Sequence, residues 1–197
     1  MKGLDVTLSL EGKSMDNDAS SYRRFLDGDE SAFDEIMKEL FHSLVFFVNR
    51  YVHDVHAAED IAIDAFADLI VHKSRYNFKV KLKTYLFMIG RSRALDYVKH
   101  RKIIDFVELS EVGEVPDDEK VLEDIILDNE RKCMVNIAIG KLPEDMRVAI
   151  HLIYFENMTY GEAAKVMKKN RKQVDNLLYR AKKELRIILG EDGEWLV

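Results

Sequence analysis

The chain has 197 residues, of which 47% are hydrophobic, nine are glycine, two are proline and one is cysteine, and its formal net charge at pH 7 is −6. This composition favours one or two small helical domains and excludes collagen-like or low-complexity architecture. The single cysteine, Cys133, excludes an internal disulfide and a multi-cysteine zinc site. Without a long apolar run or a signal peptide, we expect a cytoplasmic protein with no membrane insertion.

The negative total hides two strongly basic blocks. Residues 73–102 carry a net charge of +9 and residues 141–190 carry +5, whereas residues 1–72 carry −9 and residues 103–140 carry −8. Because exposed charges are screened beyond about 10 Å at 0.1 M salt, each block acts locally. The acidic total therefore does not exclude nucleic-acid binding by the basic blocks.

Apolar residues in the first half of the chain recur every three or four positions, which is typical of helices. Residues 20–53 predict two helices, and we expect Ser20 or Ser21 to cap the first and Asp29 or Ser31 to cap the second. No sustained two-residue alternation lies between turn signals, so strands are not expected.

Two further helices are predicted over residues 56–73 and over Lys83–Arg101, with a short break at Asn77–Lys81 between them. The following stretch, Phe106–Lys120, is acidic, contains a glycine and a proline, and has a broken hydrophobic pattern. These features are typical of a linker between domains.

Helical spacing returns over Val121–Ile139, and three more helices are predicted over Glu144–Phe155, Thr159–Met167 and Arg171–Leu189. The chain is therefore predicted to be all-α, with two small helical domains joined by a flexible acidic linker. The predicted divisions are an N-terminal extension at 1–20, a first domain at 21–105, the linker at 106–135, a second domain at 136–190 and a tail at 191–197.

The last two predicted helices have the spacing of a helix-turn-helix. Thr159 and Glu162 have the spacing of a capping box, and Asn170 is an N-cap candidate for the final helix. Arginine, glutamine and asparagine can bond base edges in the major groove, while lysines meet phosphates. The alternative is a surface helix with a solvated basic face. The predicted DNA contacts are Asn170, Arg171, Lys172, Gln173, Asn176, Arg180 and Lys183.

The other basic block, Lys73–Lys102, interleaves cations with aromatic residues. Aromatic rings beside cations suit single-stranded or unstacked bases, because stacking tolerates any base and the cations hold phosphates. The alternative interpretation is that the rings belong to the core, and we favour it for Phe87 and Tyr97.

Two sets of short motifs occur in order along the chain. The first comprises Gly28-Asp29, Ala32-Phe33, Ala58-Glu59-Asp60-Ile61, Phe66, Lys83-Thr84-Tyr85-Leu86 and the segment Ile89 to Tyr97; the second comprises Leu142-Pro143, Tyr154-Phe155-Glu156 and Tyr179-Arg180-Ala181-Lys182. Together they resemble regions 2 and 4 of the extracytoplasmic-function sigma factors, group 4 of the sigma-70 superfamily, over about residues 21–188.

The resemblance implies an initiation factor that is not an enzyme and needs no cofactor or small-molecule substrate. Its implied partners are RNA polymerase core enzyme, through the clamp helices and the flap, promoter DNA, and an anti-sigma factor. In the family, region 2 is a helical bundle that binds the clamp helices and captures the melted −10 element, and region 4 reads the −35 element.

By motif position, the resemblance also implies two sets of site residues in the first domain. The core-polymerase contacts would be Glu59, Asp60, Asp64 and Phe66. The −10 pocket and loop would comprise Asn77, Phe78, Lys79, Lys81, Tyr85, Arg91 and Ser92.

Four positions depart from the family pattern. Ile63 replaces a usual glutamine in the helix that faces the clamp, Tyr85 replaces a usual tryptophan, and Ser92 replaces a common asparagine. Lys168 replaces the usual glycine of the helix-turn-helix, where a positive φ is often needed. The change at Ser92 leaves the identity of the captured base open.

Two other functions compete with this one. The runner-up is a helix-turn-helix regulator that binds duplex DNA without polymerase, and a third is an adaptor that binds only proteins. His53, His56 and Glu59 cannot all face one metal ion from a single helix, because their spacing spreads them over about 240°. No metal site is therefore expected. The glycine-rich phosphate-binding motifs are also absent from the sequence.

Overall fold

The computed structural model describes residues 13–108 and 130–189, and the regular structure within these ranges is helical. The helices are α1 Lys13–Leu26, α2 Ser31–Val52, α3 Val55–Val71, α4 Leu82–Glu108, α5 Glu130–Gly140, α6 Glu144–Ile150, α7 Tyr160–Met167 and α8 Arg171–Leu189. The predicted all-α class is confirmed. Most of the predicted N-terminal extension, the middle of the predicted linker and the predicted tail lie outside the described residues.

Both ends of the predicted linker are helical. The fourth helix continues to Glu108 and the fifth begins at Glu130, so residues 106–108 and 130–135 of the predicted linker are helical. The polar residues 99–102 interrupt the apolar spacing, which explains why the predicted helix ends at Arg101.

The first domain, formed by α1 to α4, packs around α2, which contacts each of the other three helices. Its centre is formed by fully buried side chains that include Leu44, Phe47, Phe66 and Phe87. Gly90 lets α4 approach α2 closely, because a Cβ atom there would lie 2.8 Å from Cδ1 of Leu44. The glycine in the motif Ile89 to Tyr97 thus has a packing role.

The cap predicted for the first helix is wrong, and the N-cap position of the second helix is Glu30. Helix α1 begins at Lys13, so Ser20 and Ser21 lie inside it, and Ser21 donates a hydrogen bond to Glu35 on α2. Glu30 at the start of α2 forms no side-chain cap hydrogen bond, and Ser31, already inside the helix, donates to Asp29 at 2.6 Å. Capping residues also form hydrogen bonds elsewhere, which sequence spacing does not reveal.

The second domain is formed by α5 to α8, with α8 in contact with each of the other three. Helix α6 continues directly into a π-helical segment, His151–Phe155, in which the amide of Glu156 donates to the carbonyl of His151. Wide turns of this kind shift the side chains that follow them and are frequent at functional sites. Here the segment carries His151 and Glu156 to the boundary with the first domain.

The two domains contact each other directly. Helix α4 packs against α7, and α2 packs against α6. Ser43 of α2 donates a hydrogen bond to Glu156 at 3.0 Å, and the ring of Phe47 lies parallel to that of His151 with centroids 6.1 Å apart. The core of the first domain is therefore continuous with that of the second.

Candidate nucleic-acid interface

The start of α8 is held by a reciprocal pair of hydrogen bonds. The amide of Gln173 donates to Oδ1 of Asn170, and the amide of Asn170 donates to Oε1 of Gln173, both at 2.8 Å. This arrangement satisfies two backbone donors at once and fixes where the helix begins. Asn170 is thus confirmed as a cap. Gln173 keeps its amide NH₂ group available for a base edge.

Polar side chains form one exposed strip along α8. Lys172, Asn176, Arg180 and Lys183 are separated by three or four residues, so they project from the same side of the helix. Arg171 and Gln173 are exposed beside Lys172, and we call all six residues the recognition strip. Within residues 13–108 and 130–189, none of its cations forms an ion pair, so their charge is available to phosphates.

The turn before α8 has the geometry of a helix-turn-helix. Helix α7 begins with a complete capping box between Thr159 and Glu162 and ends at Lys168, which adopts the left-handed conformation with φ 53°. The positive φ expected at this position is therefore present without the usual glycine. Lys169 is anchored by an ion pair with Asp145 at 3.0 Å, which ties the turn to α6.

The loop before α4 carries a cluster of aromatic rings. Tyr76 lies at the centre, with ring centroids 4.7 Å from Phe78 and 5.1 Å from Tyr85, and its hydroxyl donates to the carbonyl of Val80. Phe78 has a φ of 60°, which directs its ring back onto this cluster. Asn77 accepts the amide of Lys79 and closes the loop. We call residues 76–81 with Tyr85 the aromatic loop.

The predicted −10 residues divide between two sides of α4. Ser92 follows Tyr85 by seven residues, so the two share a side of the helix. Arg91 points to the other side, where it bonds the hydroxyl of Tyr51, and its Nε atom is buried with no hydrogen-bond partner among the described residues. The structure therefore groups Asn77, Phe78, Lys79 and Tyr85 in the aromatic loop and places Arg91 outside it.

Helix α3 presents acidic and apolar side chains together. Asp60 and Asp64 are exposed and Glu59 is half-buried, while Ile63 is 52% exposed and Val71 is 72% exposed. The side chain of Phe66 does not lie on this exposed surface.

The prediction of a direct polymerase contact by Phe66 is corrected by its burial. Its side chain is only 2% exposed and packs edge-on against Phe33, so it holds α3 in place from below. Phe66 is close to the acidic residues in sequence, but helical geometry places its side chain on the inner side of α3.

Two cations near the aromatic loop were not predicted as site residues. The guanidinium of Arg23 lies 4.9 Å from the ring centroid of Phe78, and Nζ of Lys73 lies 4.3 Å from that of Phe25. Arg23 is separated from Phe78 by most of the first domain in sequence, so no local pattern indicates this contact. Both cations enlarge the basic surface around the loop.

Other kinds of site find no support in the described part of the chain. It contains no group of three potential metal ligands, and none of its helices combines the length and apolarity needed to cross a bilayer. His53 lies at the end of α2 while His56 and Glu59 lie in α3, so the three residues do not share one helix.

Two family models match the chain. The model of Sigma-70 region 2 matches residues 36–103, which cover most of the first domain, and the model of Sigma-70, region 4 matches residues 138–185, which include the helix-turn-helix.

Curated relatives match over most of their own length. The RNA polymerase sigma-H factor of Pseudomonas aeruginosa is 27% identical over 180 residues, covering 87% of this chain and 93% of that protein. The ECF RNA polymerase sigma factor SigM of Bacillus subtilis is 26% identical over 156 residues, covering 79% of this chain and 93% of that protein.

Two solved structures with the same fold are complexes with a partner protein. The sigma factor RpoE in complex with the anti-sigma factor NepR, from Bartonella quintana, matches with a TM-score of 0.62 and 20% identity over 81% of this chain and 98% of that one. CnrH in complex with the cytosolic domain of CnrY matches with a TM-score of 0.63 and 19% identity over 90% of this chain and 99% of that one.

Proposed function

The chain belongs to the extracytoplasmic-function group of the sigma-70 family, and from this premise we propose which of its surfaces perform each step of promoter recognition. As a sigma factor it directs RNA polymerase core enzyme to promoters. The first domain captures the −10 element and the second reads the −35 element. Because the polymerase makes the bonds of the transcript, the chain is an initiation factor and not an enzyme. It acts in the cytoplasm.

The observation that carries the assignment to the −35 element is the recognition strip on a capped helix. Its cations are exposed and unpaired within the described residues, and the reciprocal cap fixes the position of Arg171 and Gln173 at the helix start. In helix-turn-helix proteins, the first turn of the second helix meets base edges while outlying cations meet phosphates. Arg171 and Gln173 are therefore assigned to bases, and Lys172, Arg180 and Lys183 to phosphates.

The aromatic loop is assigned to the unpaired strand of the −10 element. Extruding a base from a duplex costs a few kcal/mol, which stacking on an aromatic ring and hydrogen bonds to the base edge offset. Tyr85 is half-buried against Tyr76, so one side of its ring remains for a base. Lys79 is exposed beside it and supplies charge for the strand's phosphates.

Helix α3 is assigned to the clamp helices of the polymerase. Its exposed carboxylates, Asp60 and Asp64, suit a basic partner surface, and the exposed Ile63 and Val71 supply apolar area that becomes buried on association. Asp64 forms an ion pair with Arg93 at 3.2 Å, which limits how far its carboxylate can move. The second domain would contact the flap.

Run-off transcription with purified core polymerase tests this function. We expect initiation from a cognate promoter only when the chain is present, and loss of co-purification with core enzyme when Asp60 and Ile63 are both replaced by lysine. The matched control is replacement of exposed Glu39 and Lys38, which lie on α2, by lysine and glutamate. Specific duplex binding without any initiation would instead identify the helix-turn-helix regulator.

An anti-sigma factor is the proposed regulator. The solved relatives RpoE and CnrH are seen with NepR and with the cytosolic domain of CnrY respectively. A partner of this kind would cover the exposed apolar residues of α3. Competition between it and core polymerase for the chain, measured by pull-down, would support the assignment, and simultaneous binding of both would contradict it.

A further inference from the structure

A charged cluster is buried between the two domains. Nζ of Lys83, at the start of α4, lies 2.7 Å from Oε2 of Glu156 and donates a second hydrogen bond to the carbonyl oxygen of Glu156 at 3.1 Å. The side chain of Glu156 is only 5% exposed and that of Lys83 is 24% exposed. Ser43 donates to the same carboxylate oxygen at 3.0 Å.

The other carboxylate oxygen faces a buried histidine. Nε2 of His151 lies 3.1 Å from Oε1 of Glu156, and the His151 side chain is 6% exposed between the rings of Phe47 and Phe155. The ring is turned so that neither of its nitrogens forms a well-directed hydrogen bond among the described residues. Lys83 is thus the main partner of Glu156.

The contact between the two domains also occupies part of the proposed −10 surface. Lys81 of the aromatic loop forms an ion pair with Glu162 of α7 at 3.1 Å, and the Glu162 side chain is only 13% exposed. Glu162 belongs to the capping box of the helix-turn-helix. One cation needed for DNA by the first domain is therefore neutralised by the second.

The closed arrangement conflicts with reading both promoter elements at once. Elements named −10 and −35 lie about 25 base pairs apart, which is roughly 85 Å along B-DNA at 3.4 Å per base pair. Two small domains in direct contact, each about 30 Å across, have centres only about 30 Å apart. Simultaneous contact requires the domains to separate.

We propose that the second domain holds this chain in an inactive closed form, and that the buried pair between Lys83 and Glu156 is the latch. The part of the proposal that concerns DNA rests on the proposed function, but the latch itself does not. Opening by core polymerase requires that the polymerase bind the open form more tightly than the closed form. Free protein would then bind promoter DNA poorly.

Single and double substitutions distinguish a charge latch from general damage to the fold. Lys83→Met or Glu156→Leu alone leaves a buried charge without its partner, which strongly disfavours the closed form. The double variant removes both charges and substitutes apolar groups of similar length, which buried sites commonly tolerate. We therefore expect each single variant to open the chain and the double variant to close it again.

The distance between the domains can be measured without polymerase or DNA. Fluorophores are attached to cysteines introduced at exposed Glu30 and Glu144, with Cys133 replaced by serine, and energy transfer is recorded in single molecules. The wild-type chain should give mainly high transfer and each single variant mainly low transfer. Lys99→Met and Asp175→Asn, at exposed positions, are matched controls that should behave as wild type.

Affinity for core polymerase provides the second readout. If the open form makes up about one tenth of the free chain, full opening tightens the apparent Kd by up to about tenfold. Low transfer in the wild-type chain, or unchanged transfer in both single variants, would overturn the latch. A latch that responds as expected in a chain that never initiates transcription would instead overturn the proposed function alone.

Discussion

Nζ of Lys83 and Oε2 of Glu156 lie 2.7 Å apart, although the two residues are 73 positions apart in the chain and belong to different domains. Burying such a pair removes both charges from water, a cost that is recovered only when the geometry is good and the remaining polar atoms are bonded. Here Ser43 and the carbonyl of Glu156 complete the bonding. The pair therefore specifies one arrangement of the domains rather than adding simple stability.

The closed form should weaken as the pH falls. Burial lowers the pKa of His151 more than the neighbouring Glu156 raises it, and Arg50 and Lys83 lower it further. Burial alone would raise the pKa of Glu156, but the close approach of His151 and the hydrogen bond and charge of Lys83 outweigh it and lower the pKa to about 2. Both groups thus stabilise the closed form fully when the pH is above their ordinary pKa values, which are near 6.5 for His151 and 4.5 for Glu156.

Two stages of opening are expected from these shifts. Acidification below about pH 6.5 favours the open form because His151 takes a proton more readily in that form, and between about pH 4.5 and 2 the Glu156 contribution of about 3 kcal/mol is progressively lost. Energy transfer recorded from pH 8 to about pH 3 checks this. His151→Gln should remove the upper stage and keep the lower one. A pH-independent distance in the wild-type chain would contradict the prediction.

Substitutions in the recognition strip should separate base reading from phosphate binding. Arg171→Ala should relax base preference at one position of the −35 element and cost about 1–3 kcal/mol in specific binding. Lys183→Ala should weaken binding to all sequences and reduce the salt slope by about 1. Binding of the polymerase complex is measured by fluorescence anisotropy over a series of salt concentrations, with exposed Lys141→Ala as the control. Equal salt slopes for all three variants would contradict the assignment.

Tyr85 should contribute to strand opening, the step that follows binding of the duplex. Tyr85→Ala removes a stacking surface worth about 1–3 kcal/mol per base, so open-complex formation should fall roughly ten- to hundredfold. Tyr85→Phe retains the ring and should lose much less. A 2-aminopurine reporter in the −10 element follows strand opening, and a gel shift follows closed-complex binding. Equal losses in both assays would contradict a role in strand capture, and thermal unfolding controls for the lost packing on Tyr76.

Lys168→Gly should stabilise the second domain. The residue has φ 53°, a left-handed conformation that costs a residue with a Cβ atom about 1 kcal/mol. Lys165→Gly, at an exposed position inside α7, is the matched control and should destabilise by about 1 kcal/mol. Urea midpoints measure both effects. A lower midpoint for Lys168→Gly would show that the lysine side chain stabilises the turn.

The sequence alone determined the all-α class, the helix-turn-helix and the family. Local signals suffice for these features: the apolar spacing predicts α8 with its observed ends, the spacing of Thr159 with Glu162 predicts one cap, and Asn170 before the last helix predicts another. The tertiary structure alone decided that Phe66 is buried, that Arg91 lies away from the aromatic loop, and that Lys83 meets Glu156. These outcomes depend on how the helices pack against one another. Packing brings together residues that are far apart in the chain, and the periodicity of the sequence does not indicate such contacts.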